Sequence, residues 1–110
     1  SFMGDAAFGH CGMDVETAVR NNIPITIVVI NNSGMGGYKE GMPTAYEQYG
    51  ASALSGNYAA LAESLGAKGI RVEQPDGVGV AIQQARAENE KGNTVLVEII
   101  TSMENRMSKP

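Results

Sequence analysis

The sequence predicts an α/β fold, a three-layer α/β/α sandwich built on a mainly parallel sheet, and three observations carry that prediction. A nearly continuous β-branched run, Ile25-Thr26-Ile27-Val28-Val29-Ile30, stands between Pro24 and Asn31-Asn32, which is the pattern of a strand covered on both faces. Segments with helical spacing of apolar residues alternate with further strand-like runs, as in parallel sheets with crossover helices. The chain has 110 residues, 43% of them hydrophobic and 18% charged, enough for one domain over residues 1–110 with a buried core.

The elements follow in order. Phe2-Met3 reads as the end of a strand. Val15, Ala18 and Val19 recur at the i, i+3, i+4 interval, and Asp14, Glu16 and Arg20 match the helix dipole, so a helix is expected over 12–22. The β-branched run is the next strand. Tyr58, Leu61, Ala62 and Leu65 share one helical face and Gly66 offers a C-cap, giving a helix over 57–65. Gly69 to Glu73 forms a strand, Pro75-Asp76 opens a long helix to Glu90, Gly92 ends it, and Thr94 to Ile100 is the last strand. The polar tail from Ser102 to Pro110 is expected to fray. Between Asn32 and Asn57 lies a connection of about 25 residues where about 4–6 is usual; it is expected to carry function, disorder or a short helix.

Eight Lys and Arg against twelve Asp and Glu give a net charge of −4, which argues against attachment to nucleic acid or to an anionic membrane. Cys11 stands alone and can form no internal disulfide, so a reducing cytoplasm is the expected location. The longest apolar run, Ile23 to Ile30, falls far short of the roughly 20 residues a membrane helix needs. No basic segment precedes an apolar one at the N-terminus, so no signal peptide is expected.

Two motifs carry chemistry. Gly4-Asp5-Ala6-Ala7-Phe8-Gly9 follows a strand end and precedes a helix. Backbone amides there can converge on an anion while the Asp5 carboxylate holds a neutralising metal. Asn31-Asn32-Ser33-Gly34 lies at the carboxyl end of the next strand, the edge where open α/β sheets bind ligands, so Asp5 and Asn32 can meet at one site. A carboxylate, an amide oxygen and a main-chain carbonyl suit a hard cation such as Mg²⁺ or Ca²⁺. One His and one Cys, adjacent at positions 10 and 11, make no tetrahedral zinc set. Taken singly, each motif is read more readily as a turn or a polar strand exit.

Together they are more specific. Gly4-Asp5-Ala6, a helix, a buried strand and Asn31-Asn32, with 27 positions from Asp5 to Asn32, resemble the signature of the thiamine diphosphate (ThDP) enzymes. Gly12 to Pro24 and Leu61 to Glu73 are similar to the acetolactate synthase and decarboxylase group, and the likeness runs to about Ile100. The resemblance implies that Asp5 and the Asn32 side chain ligate Mg²⁺, with the Gly34 carbonyl as third protein ligand. It also implies that Gly4, the amides of Ala6 and Ala7, and the turn Met35-Gly36-Gly37 hold the diphosphate. Ala6 stands where Gly is commoner in the family. Some family decarboxylases carry a catalytic Glu where this chain has Tyr38, so that role is not transferred. His10 is read as a solvated side chain rather than a catalyst, Cys11 as packing, and Met13, Met35 and Met42 as adaptable core filler.

The resemblance further implies a larger enzyme of three domains, of which this chain matches the greater part of the last, incomplete at its N-terminal side. The glutamate that activates the cofactor belongs to another domain, so the chain alone is expected to be inactive and to associate with itself or with the remaining domains. It is read as a fragment of a larger gene, an excised domain or a short reading frame beginning at Met3. The leading function is the ThDP- and Mg²⁺-binding part of a C–C lyase or carboligase acting on a 2-oxo acid or acyl-CoA-type substrate. The alternative is a stand-alone binding or assembly module. A flavodoxin-like or Rossmann domain ranks below both, because no G-x-G-x-x-G follows the first strand and no helix is evident after Gly34-Met35-Gly36-Gly37.

Overall fold

The computed structural model describes residues 1–103. Four parallel strands, β1 (Phe2–Gly4), β2 (Thr26–Asn31), β3 (Lys68–Val72) and β4 (Val95–Ile100), form one sheet in the order β1-β2-β4-β3. Helices α1 (Asp5–Cys11), α2 (Asp14–Arg20) and α5 (Tyr58–Ser64) contribute to one face of the sheet, and α6 (Gly77–Glu90) covers the other. The expected three-layer α/β/α arrangement is therefore present.

The two faces have separate cores. Phe8, Val15, Ile27, Val29, Ala62 and Leu96 pack on the side of α1, α2 and α5. Val72, Ala81, Ala85, Val95 and Val97 pack on the side of α6, where Ala81 and Ala85 bring the helix close to the strands. The strand with unbroken burial is β4, from Val95 to Glu98, because it lies between β2 and β3 with helices on both sides. In β2, which the sequence marks as doubly covered, burial alternates: Ile27, Val29 and Asn31 are buried and Thr26, Val28 and Ile30 only half so.

Helix α5 shows how local chemistry fixes an element. The Asn57 side chain accepts a hydrogen bond from Ala60 N at 2.9 Å, capping the first turn. At the other end Ala67 N donates to Ala62 O and Gly66 N to Glu63 O, with Gly66 at φ +92°, a conformation that suits a residue without Cβ. The strand that follows is pressed against the same helix. A Cβ on Gly69 would overlap the Ala59 carbonyl, so β3 can run this close to α5 only with glycine there.

One expectation is corrected and one is filled in. The single helix expected over 12–22 is the second of a pair: α2 is shorter, and α1 precedes it across a turn at Gly12-Met13. Helix α1 contains Gly9 and is flanked by Gly4 and Gly12, which reads as loop, and it is anchored through Phe8, which is buried in the core. The long connection holds two short helices, α3 (Tyr38–Gly41) and α4 (Pro43–Tyr49), neither of which buries a residue fully. Without a buried face they leave no apolar periodicity to read. An isolated antiparallel bridge between Gly34 and Ala53 closes the base of this excursion. The tail expected to fray lies, beyond Met103, outside the described residues.

Candidate functional site

Parallel pairing sets β1 beside β2 with Gly4 opposite Ile30. Asp5 therefore leaves the sheet at the same carboxyl edge as Asn31 and Asn32, two strand tips side by side, as the sequence implies. Asp5 opens α1 and is 3% exposed. Its Oδ1 accepts from Ala6 N at 2.9 Å. Its Oδ2 is buried without a hydrogen-bond partner among the described residues. A buried carboxylate oxygen with no donor is costly, of order 1–3 kcal/mol or more for a charged group, and a cation would remove that cost.

The second strand tip is shaped by side chains acting on backbone. Asn31 Oδ1 accepts from Ser33 N at 3.0 Å and from Ser33 Oγ at 3.2 Å. Asn32 Oδ1 accepts from Gly34 N at 3.1 Å. Ser33 takes the left-handed conformation, φ +58°, and the chain reverses there. Beyond it Met35 N donates to Ser52 O and Leu54 N to Ser33 O. The Gly34 carbonyl accepts no backbone hydrogen bond among the described residues. Gly34 is itself buried, with the Met103 side chain where a Cβ would otherwise lie. Met35 and Gly36 follow, and Gly37 at φ +80° leads into α3, so a helix does follow this glycine turn, contrary to expectation.

Beneath the turn lies a group the sequence reading missed. Glu98, fully buried on β4, has its Oε1 2.7 Å from Asn31 Nδ2 and 3.0 Å from an Arg71 guanidinium nitrogen. Its Oε2 accepts from Ala59 N at 3.1 Å, in the first turn of α5. Three donors, from β2, β3 and α5, satisfy the carboxylate in the manner that buried charges require. Arg71 is paired with Glu98 in the β3–β4 register, and hydrogen bonds to Glu73 and Glu98 hold its guanidinium even more firmly charged than usual. The signal was legible: a lone Glu in Val95-Leu96-Val97-Glu98-Ile99-Ile100 must find partners if the strand is central. Tyr58 stands nearby with its ring edge-on to Phe8, centroids 5.4 Å apart. Burial, then the charges of Asp5 and Glu98, push its phenol above the ordinary tyrosine range.

The remaining candidates lie apart from this chemistry. His10 is exposed on the last turn of α1. Cys11 Sγ rests 3.7 Å from both Met3 Sδ and Ala7 O, a packing position. Met13 and Met42 are exposed rather than core filler, because the turns that carry them project from the sheet. Tyr38 begins α3, half-buried. Among the described residues no three His, Cys, Asp or Glu side chains converge, and no helix is long and apolar enough to cross a membrane.

Residues 1–99 match the family described as thiamine pyrophosphate enzyme, C-terminal TPP binding domain, thiamine pyrophosphate being another name for ThDP. The chain is 35% identical over 107 residues to a sulfoacetaldehyde acetyltransferase of Alcaligenes xylosoxydans xylosoxydans, covering 94% of this chain and 18% of that protein. It is 34% identical over 97 residues to a 2-hydroxyacyl-CoA lyase of Arabidopsis thaliana, covering 76% of this chain and 16% of the lyase. Among solved structures, a thiamine diphosphate-dependent 4-hydroxybenzoylformate decarboxylase of Rhodococcus jostii RHA1 superposes with a TM-score of 0.79 at 23% identity, over 96% of this chain and 20% of that one. The chain thus spans a fifth or less of the length of these proteins. By fold, by the two strand-tip motifs and by these matches, the chain belongs to the thiamine pyrophosphate enzymes, within their C-terminal TPP-binding domain.

Proposed function

We propose that this chain is the ThDP- and Mg²⁺-binding portion of a ThDP-dependent C–C lyase or carboligase, of the acetolactate synthase-like or 2-oxo acid decarboxylase-like kind. The observation that carries the reading is the buried, unpartnered Oδ2 of Asp5, one strand away from the Asn32 turn. A single carboxylate, one amide oxygen and one carbonyl form the mixed oxygen set that Mg²⁺ accepts while keeping positions for phosphate and water. Asp5, Asn32 through its side chain and Gly34 through its carbonyl would hold the metal. Gly4, the amides of Ala6 and Ala7 and the turn Met35-Gly36-Gly37 would hold the diphosphate.

When bound, ThDP supplies a nucleophilic carbon and an electron sink for breaking or making a bond beside a carbonyl. The part played by these residues is to neutralise the diphosphate and fix its place against the sheet edge. We propose that the chain binds the cofactor without turnover when alone, since relatives in the family are more than five times its length. Its partners would be a second copy or the remaining domains of a larger ThDP enzyme, with no nucleic acid and no membrane, in keeping with its net charge of −4. The solitary Cys11 favours the cytoplasm.

A second reading, a stand-alone binding or assembly module, is favoured by the exposed Phe2, 73% accessible on the edge strand β1, and by the exposed Met13. Calorimetric titration with ThDP, with and without Mg²⁺, tests the first reading. Metal-dependent binding that vanishes in Asp5→Ala is expected; a folded chain that binds neither ligand would favour the module.

A further inference from the structure

The bonds around Glu98 do more than satisfy a charge. A carboxylate at the centre of a sheet is poorly suited to stabilise it, because apolar residues of similar volume generally serve as well. What an apolar residue could not do is orient Asn31. With Asn31 Nδ2 committed to Glu98 Oε1, its Oδ1 has to face the opposite way, toward Ser33 N and Oγ. Those two bonds hold Ser33 in the left-handed conformation, which non-glycine residues seldom adopt. The reversal at Ser33 in turn brings Gly34 N onto Asn32 Oδ1. The order of dependence runs from Glu98 through Asn31 and Ser33 to Asn32 and Gly34.

We propose that Glu98 is a positioning residue: by clamping Asn31 it sets the shape of the Asn31–Gly34 turn and so presents Asn32 and Gly34 to the bound cation. Its service to a cation rests on the ThDP and Mg²⁺ reading above; its control of the turn does not. Arg71 and Ala59 N hold the carboxylate in place from β3 and α5, so it cannot swing with the turn it orients.

The test is backbone amide exchange in the 110-residue chain, with Val29 and Val97 reporting the stability of the sheet. In Glu98→Gln, one face of the new amide must oppose a donor, either Ala59 N on one side or Asn31 Nδ2 together with the Arg71 guanidinium on the other. Exchange at Ser33 and Gly34 is expected to accelerate at least about tenfold more than at Val29 and Val97. The double variant Glu98→Gln with Asn31→Asp exchanges donor for acceptor across the same contact and is expected to abolish that excess. Glu98→Leu is read in the same way if Glu98→Gln does not fold. Equal acceleration at the turn and in the sheet, or failure of both single variants to fold, would overturn the proposal in favour of a purely structural role. Titration with ThDP and Mg²⁺ then separates the two readings. Metal-dependent affinity reduced about tenfold or more in Glu98→Gln supports the whole proposal, a drop of about one factor of ten in the binding constant being the smallest that counts. Unchanged affinity despite a loosened turn overturns the cofactor role. A wild-type chain that binds no ThDP, with the exchange pattern as expected, removes the cofactor reading and leaves the control of the turn standing.

Discussion

Gly69 and Ala59 approach so closely that a Cβ on residue 69 would overlap the Ala59 carbonyl oxygen. The contact is backbone against backbone, so no side-chain rotation can relieve it. The same residue, Ala59, donates its N–H to Glu98 Oε2 at 3.1 Å. Gly69→Ala should force α5 away from β3 and lower stability by about 2–3 kcal/mol, in the range for overpacking a core site. Urea unfolding followed by circular dichroism measures this; a midpoint equal to wild type would contradict it.

Asp5 Oδ2 is buried at the sheet edge with no donor among the described residues. Asp5→Asn keeps an oxygen for Ala6 N and removes the charge. Without metal it should leave stability unchanged or raise it by about 1 kcal/mol. With Mg²⁺ and ThDP the wild type should gain thermal stability, as ligand binding to the native state demands, and the variant should gain little. Melting curves in chelator and in Mg²⁺ with ThDP decide the point, and an equal shift in both proteins would count against Asp5 as the metal's carboxylate.

Tyr58 ionises later than ordinary tyrosines, through burial first and the neighbouring charges of Asp5 and Glu98 second. A proton held more tightly in the folded state than in the unfolded one stabilises the fold only up to a limit. The contribution is fully present below the unfolded value of 10.0 and disappears as pH rises through the folded value. Absorbance at alkaline pH should therefore show one of the four tyrosines titrating after the rest. Tyr58→Phe should remove that late step, keep the edge-on packing against Phe8, and lose less stability than wild type above about pH 10.

Asn57 caps α5 through Ala60 N. Asn57→Ala should cost about 1 kcal/mol and Asn57→Asp far less, since only the second keeps an acceptor at the helix start. Chemical denaturation of the two variants side by side gives the comparison, and equal losses would show that the cap bond contributes nothing.

Much of the fold was legible because the physics that builds it is local. The β-branched run at Ile25–Ile30, the apolar face of Tyr58, Leu61, Ala62 and Leu65, and the glycines at 66 and 92 each state their structure within a few residues. Asp5 and Asn32 were legible for a different reason: motif spacing, read together with a family likeness, placed them at neighbouring strand tips. Helices α1, α3 and α4 were not. The first is interrupted by glycine and buries a single apolar side chain, Phe8, beside Asp5; the other two bury nothing fully and so follow no pattern. Glu98 escaped notice because its partners stand 67, 39 and 27 positions away, and only strand order brings them to it.

The antiparallel bridge of Gly34 with Ala53 gives the excursion through α3 and α4 a neck. Once a neck is closed, the chain beyond it is thermodynamically inexpensive to lengthen: each doubling costs only about 0.6 kcal/mol in closure entropy. The segment between Met35 and Ser52 is in that sense an exchangeable cassette. A change in the length of its two small helices would leave the strand tips of β1 and β2, which stand outside the closed loop, where they are.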